Sequence, residues 1–250
     1  MSASAPFTGS FLIREAFHLF FLRSLSETLT GRSYAVKGGI CLRFFSHSPR
    51  LSEDLDLDIA QISVDTLKTK IRNILNHRAF RERLQNYGVT GLRITEPKQT
   101  ETTQRWKIQL MMAGGHFLST RIECSRRQKN LLGVESGIPT AEVLKQNQMV
   151  PFVCRYYGAE AMLHQKLEAL ASSSRNACRD LFDLHHLLTY VKEVPGKLPP
   201  AEGEKIQSFR FRDFQEQVAP FLPTDLGNYY DEEKNFEKLK QEVIAFLKLS

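Results

Sequence analysis

The chain has 250 residues, 42% hydrophobic and 25% charged, with a formal net charge of +6 and a pI near 9.1. That composition is ordinary for a globular protein, and the length allows one large domain or two small ones. Its basic balance permits an anionic partner such as RNA without demanding one, and the sequence holds no Walker A loop, dinucleotide-binding glycine pattern, H-E-x-x-H or G-x-S-x-G.

Residues Met1–Ser10 lack the basic-then-apolar order of a secretory signal, and no apolar run reaches the length of a membrane span. The four cysteines, Cys41, Cys124, Cys154 and Cys178, are scattered with no C-x-x-C pair. They read as free thiols in a reducing cytoplasmic compartment. Phe11–Thr30 carries helical spacing in Phe17, Phe20, Phe21 and Leu25, and Gly31 stops it.

Next comes a short apolar strand, Tyr34–Val36, then Lys37-Gly38-Gly39 and a helix-like run over Ile40–Phe45. Glycines between a strand and a helix start let backbone N–H groups approach a phosphate. Arg50-Leu51-Ser52-Glu53 leads into Asp54-Leu55-Asp56-Leu57-Asp58-Ile59. Strict alternation predicts a strand with all three aspartates on one face. No Lys or Arg stands among them, so the like charges repel unless a hard cation such as Mg²⁺ cancels them. An acidic face turned to water is the competing structural reading.

Ser63 caps a predicted helix running to about Gln85, and Gly88 ends it. Val89–Thr95, Gln104–Ala113 and Phe117–Ser125 read as strands, the last two joined by a turn at Ala113–His116. Arg121, Glu123 and Ser125 share a face, which alone reads as a solvated strand side. Gly133–Thr140 is loop-like, and Pro151–Tyr156 holds a short strand.

Gly158–Ala171 is a helix with Met162, Leu163, Leu167 and Leu170 on its apolar side and Lys166 among them. Such a lysine snorkels or has an anionic partner. The helix from Ala177 places Asp180 on the face of Leu184, Leu187 and Leu188. An acid near a helix start is favoured by the dipole, which is the structural alternative to a site role. Pro195–Pro200 reads as a linker, followed by helices over Gly203–Val218 and Asn228–Leu249.

Gly38-Gly39 with Ser52-x-Asp54-x-Asp56 resembles the signature of the DNA polymerase β-like nucleotidyltransferases. With Lys37 and Arg50 included, and with Glu160-x5-Lys166-Leu167-x-Ala169-Leu170 and Arg179-Asp180-x-x-Asp183-Leu184 downstream, the chain resembles the AbiEii/AbiGii-type nucleotidyltransferase toxins. The match runs from about Tyr34 to Leu188. It departs from the family at Ile40, where a Thr or Ser is usual, leaving Ser52 as the candidate phosphate-binding hydroxyl.

The resemblance implies an α/β (α+β) fold: a mixed-sheet nucleotidyltransferase core over residues 1–156, and a helical C-terminal region over 157–250 that completes the active site. It implies Mg²⁺ or Mn²⁺ on Asp54 and Asp56, with a nucleoside triphosphate as substrate. Lys37, Gly38, Gly39 and Ser52 would bind the nucleotide, with Glu123 as a third acid. Lys166 would contact phosphate, and Asp180 would orient it or act as a base. Asp58 is placed outside the metal's first shell, because three same-face residues span about 13 Å of strand. The implied acceptor is RNA, notably the tRNA 3′ end, and the implied partner is an antitoxin. A degenerate transferase fold acting as a nucleotide- or RNA-binding regulator is the alternative.

Overall fold

The computed structural model describes residues 9–29, 32–172, 177–191 and 200–249. The predicted stop at Gly31 and most of the Pro195–Pro200 linker lie outside these residues. The chain divides into two compact units. One holds the described chain up to His47 together with Leu51–Tyr157; the other holds Ser48–Arg50 and the described chain from Gly158 onward.

In the first unit, α1 (Gly9–Thr28) precedes β1 (Tyr34–Lys37), α2 (Gly38–Phe45), β2 (Asp54–Ile59), α3 (Val64–Asn76) and α4 (Arg78–Gln85). Then come β3 (Val89–Gln99), β4 (Thr103–Met112), β5 (Phe117–Ser125), β6 (Val134–Gly137), α5 (Ala141–Gln146) and β7 (Cys154–Tyr157). The strands form one mixed sheet in the order β3-β4-β5-β2-β1-β7-β6. The pairs β2–β5 and β1–β7 are parallel and the others antiparallel.

Period-two alternation sorts the two faces. Leu55, Leu57, Trp106, Ile108 and Ile122 are fully buried on one of them. The same face bonds to the covering helices: His18 of α1 meets Thr120 at 2.7 Å, and Gln104 donates to the Val64 carbonyl of α3. The opposite face of β3, β4 and β5 is left open, with Arg93, Lys107, Met111, Phe117 and Ser119 exposed.

Ser63 caps α3 as anticipated, its Oγ accepting from Thr66 N. The single helix expected to run to Gln85 breaks at His77, whose backbone is extended. Arg81 bridges the break, its Nε donating to the Leu75 carbonyl and its Nη2 to the Asn76 side-chain Oδ1. Residues expected as loop after Gly133 contain the edge strand β6, which pairs with β7. The four cysteines are buried thiols outside any disulfide.

The second unit is helical: α6 (Ala159–Ala171), α7 (Cys178–Leu187), α8 (Pro200–Ser208), α9 (Phe211–Gln217), α10 (Thr224–Tyr229) and α11 (Glu233–Leu249). Its core is aromatic, with Phe182, Phe214 and Tyr230 in mutual ring contact and Phe236 packed on Phe214. Each of the last two expected helices is interrupted. α8 and α9 part at Phe209-Arg210, and α10 and α11 part after Tyr230. Phe236, Leu239 and Val243 of α11 are buried, as their stripe predicts. Among the described residues, no helix is long and apolar enough to cross a membrane.

Candidate active site

The aspartate strand is β2, and its neighbours decide its electrostatics. Register places Asp54 beside Arg121, Asp56 beside Glu123, and Asp56 also opposite Lys37. The sheet therefore brings Asp54, Asp56, Glu123 and Lys37 together.

The expectation of an uncompensated acidic face is corrected by cross-strand cations. Arg121 Nη2 lies 2.6 Å from Asp54 Oδ2. Arg105 donates to Glu123 Oε2 through both Nε and Nη2, at 2.8 and 2.7 Å. Lys37 Nζ meets Asp58 Oδ1 at 2.6 Å, while the Tyr157 hydroxyl donates to Asp58 Oδ2 at 2.9 Å. Asp58 is thus a buried anchor for Lys37. Ser52 Oγ donates to the Asp54 carbonyl at 3.1 Å, which fixes the entry into the strand.

Asp56 differs from the rest. It is half-buried, and among the described residues it has neither an ion pair nor a side-chain hydrogen bond. Burial pushes its carboxyl up, Lys37 pulls it down, and Asp54 and Glu123 push it up again; the net shift is upward. A carboxylate raised by burial and like charges stores a demand for a cation.

Gly38 shapes the space around it. Its φ is +69°, and a Cβ there would sit 2.7 Å from Asp56 Oδ2. Only glycine allows α2 to start so close to the carboxylate. Gly38→Ala should lose about 1–2 kcal/mol through the left-handed backbone alone, and it should displace Asp56. Thermal melting and metal-dependent triphosphate binding would each register the change.

No group of three or more His, Cys, Asp or Glu among the described residues is placed to hold a metal ion. The residues that would hold the expected metal ion are the same-face pair Asp54 and Asp56. Two carboxylates suit Mg²⁺, which fills its remaining positions with water and phosphate oxygens. Arg121 would have to yield Asp54 for both carboxylates to bind.

The helical unit holds the other two expected residues. Lys166 is buried, with Nζ 2.8 Å from Asp180 Oδ1 and 2.6 Å from Asp183 Oδ2. Arg50 grips Asp183 through two bonds, Nε to Oδ1 at 2.8 Å and Nη2 to Oδ2 at 2.9 Å. Lys166 therefore does not snorkel; it has side-chain partners. Two cations and two carboxylates balance in a closed buried cluster. Burial raises the carboxyl of Asp183, but Arg50 and Lys166 outweigh it and hold it well below the usual carboxylate range. Burial lowers Lys166, and Asp183 and Asp180 outweigh it, so its pKa is raised.

Sequence reasoning missed Asp183 and Arg50 as cluster members. Asp183 lies three residues after Asp180, which is the same helix face, and that spacing was the available signal. Arg50 is separated from Asp183 by 133 positions, so only the fold pairs them.

The sequence model of the family described as "Nucleotidyl transferase AbiEii toxin, Type IV TA system" matches residues 21–240, well over half of the chain. The chain belongs to the AbiEii nucleotidyltransferase toxin family. Among solved structures, it is similar to JHP933 from Helicobacter pylori, with 18% identity and a TM-score of 0.56. That match covers 96% of this chain and 94% of the other. It is also similar to MenT4, a nucleotidyltransferase toxin from Mycobacterium tuberculosis H37Rv, with 14% identity and a TM-score of 0.57. The coverage there is again 96% and 94%. At such identities these two likenesses establish the fold. The comparison with curated proteins finds no match. As an AbiEii member the chain is a nucleotidyltransferase of the toxin type.

Proposed function

We propose that this AbiEii protein transfers a nucleotide from a nucleoside triphosphate to a hydroxyl of an RNA, the tRNA 3′ end being the leading candidate. The observation that carries this reading is the unpaired Asp56 carboxylate, raised in pKa and pressed against Gly38 at the start of α2. Asp54 and Asp56 would hold Mg²⁺ or Mn²⁺. When bound, the cation supplies charge neutralisation at the α-phosphorus and makes the attacking hydroxyl more acidic.

The chain's own groups do the rest. Gly38 and Gly39 open α2 and offer backbone N–H groups to the triphosphate. Lys37, held by Asp58, keeps a cation beside that helix start. Arg121 neutralises Asp54 and is the group to be released when substrate binds. Glu123 stays with Arg105, next to Asp56 in register, as a third acid. Ser52 is fixed by the Asp54 carbonyl and keeps oxygen lone pairs for a phosphate-bound water.

Lys166 as a phosphate contact and Asp180 as its orienting partner or as a base rest on the family's motif order. Of the two roles for Asp180, its bond to Lys166 Nζ supports the orienting one. We also assign the protein a cytoplasmic site of action and an antitoxin partner; the family description, a type IV toxin–antitoxin system, supports the latter.

The test is incubation with each labelled nucleoside triphosphate, Mg²⁺ and total cellular RNA. Label in an RNA band supports the reading. Label only in protein, or only in a small molecule, would replace the acceptor.

A further inference from the structure

The sheet face beyond the aspartates is unusual for what it leaves unpaired. Register sets Thr95, Lys107, Arg121 and Asp54 in one row across four strands. Arg93, Gln109 and Ser119 form the next row. Asp54 is the only acid in either row. Arg121 is taken by Asp54, but Lys107 and Arg93 have no carboxylate partner among the described residues. Both are exposed.

Arg93 instead lies over the ring of Phe117, its guanidinium carbon 5.2 Å from the centroid. Phe117 is 42% exposed at the start of β5. A cavity of about 490 Å³ is lined by Arg93, Lys107 and Arg121, reaches Asp54, and is also walled by Arg14 and Glu53. Arg14 holds that wall, donating to the Ser119 carbonyl at 2.8 Å and pairing with Glu53 at 3.5 Å.

A polar outer face is normal for an antiparallel sheet. Two cations without carboxylate partners, one of them lying over an exposed aromatic ring, are not needed for solubility. They match a single strand of nucleic acid, whose phosphates pair with cations and whose bases stack on rings. Lys107 stands two strands from Asp54, about 10 Å at the usual strand spacing. Such a distance suits the backbone just behind a hydroxyl that reaches the aspartates.

We propose that the open face of β3, β4 and β5 is the track for the single-stranded end of a nucleic-acid acceptor. Lys107 and Arg93 contact its phosphates, and Phe117 is the platform for one base. The inference rests on the RNA-acceptor reading above and adds to it a surface and three residues.

Fluorescence anisotropy of a labelled single-stranded RNA 12-mer on the full chain tests it, with magnesium–triphosphate binding measured in parallel. Arg93→Ala with Lys107→Ala should weaken RNA binding about tenfold or more. It should also reduce the slope of log affinity against log salt by about 1.4, some 0.7 for each lost phosphate contact. Phe117→Ala should cost about tenfold, and Phe117→Tyr, which keeps the ring, should bind like wild type. Unchanged affinity and slope in the double variant would overturn the track while leaving RNA as the acceptor. A wild-type protein that binds triphosphate but no RNA would overturn both the acceptor and the track. Loss of binding to an acidic protein in the double variant, with RNA binding intact, would give this face to a protein partner instead.

Discussion

Asp56→Asn should abolish nucleotidyl transfer and leave the protein as stable as wild type, or more stable, in metal-free buffer at neutral pH. The side chain has no ion-pair partner to lose, and its removal lifts repulsion from Asp54 and Glu123. The sign follows from the raised pKa. A folded-state pKa above the unfolded value means that the folded state binds the proton more tightly. Ionised Asp56 therefore costs stability, a cost incurred as pH rises through the raised folded value. The stability gain of Asp56→Asn should be present at neutral pH, shrink as pH falls through the raised folded value, and be gone below the unfolded value of about 4. Denaturant melts at several pH values, beside a transfer assay, would show it. Asp54→Asn should behave differently. It also stops transfer, but it strips from Arg121 its close partner and leaves it Glu123 at 3.8 Å, with Nε still lacking a hydrogen bond, so stability should not rise.

Asp183→Asn should be the most destabilising of these substitutions, by about 3–5 kcal/mol. It leaves Arg50 and Lys166 buried with only Asp180 between them. Lys166→Ala breaks the same cluster from the other side, so its loss of activity should come with a loss of stability. Here the pKa is depressed, so the sign is opposite to that of Asp56. The Asp183 contribution is complete above the unfolded value of about 4 and is lost as pH falls below it toward the folded value. Wild type should weaken steeply below pH 4, and Asp183→Asn should weaken far less over the same range. Urea melts at pH 7 and pH 3 measure the difference.

The two predictions also mark where the sequence was legible. Strict alternation in Asp54–Ile59 identifies the strand and puts three acids on one face, because side-chain direction is local geometry. What those acids touch is not local. Arg121 stands 67 positions from Asp54, and Lys37 stands 21 from Asp58. A reading along the chain therefore sees repulsion where the fold supplies pairs. Lys166 on an apolar stripe leaves snorkelling and an anionic partner both open, and the fold supplies the partner in Asp180 and Asp183. Arg50 was not legible, since its partner lies in another element. The break at His77 carries no Gly or Pro to announce it; Arg81 side-chain bonds make it tolerable. The four-residue edge strand β6 is too short for periodicity to speak.

The most direct measurement is calorimetric titration of nucleoside triphosphate into wild type and Asp56→Asn, with and without Mg²⁺. If Asp56 is the waiting carboxylate of a nucleotidyltransferase site, wild type binds triphosphate tightly only with the metal. Asp56→Asn then loses that metal-dependent increment while remaining folded. Equal triphosphate affinity in the two proteins, or affinity in wild type indifferent to Mg²⁺, would contradict the assignment of this strand as the catalytic centre.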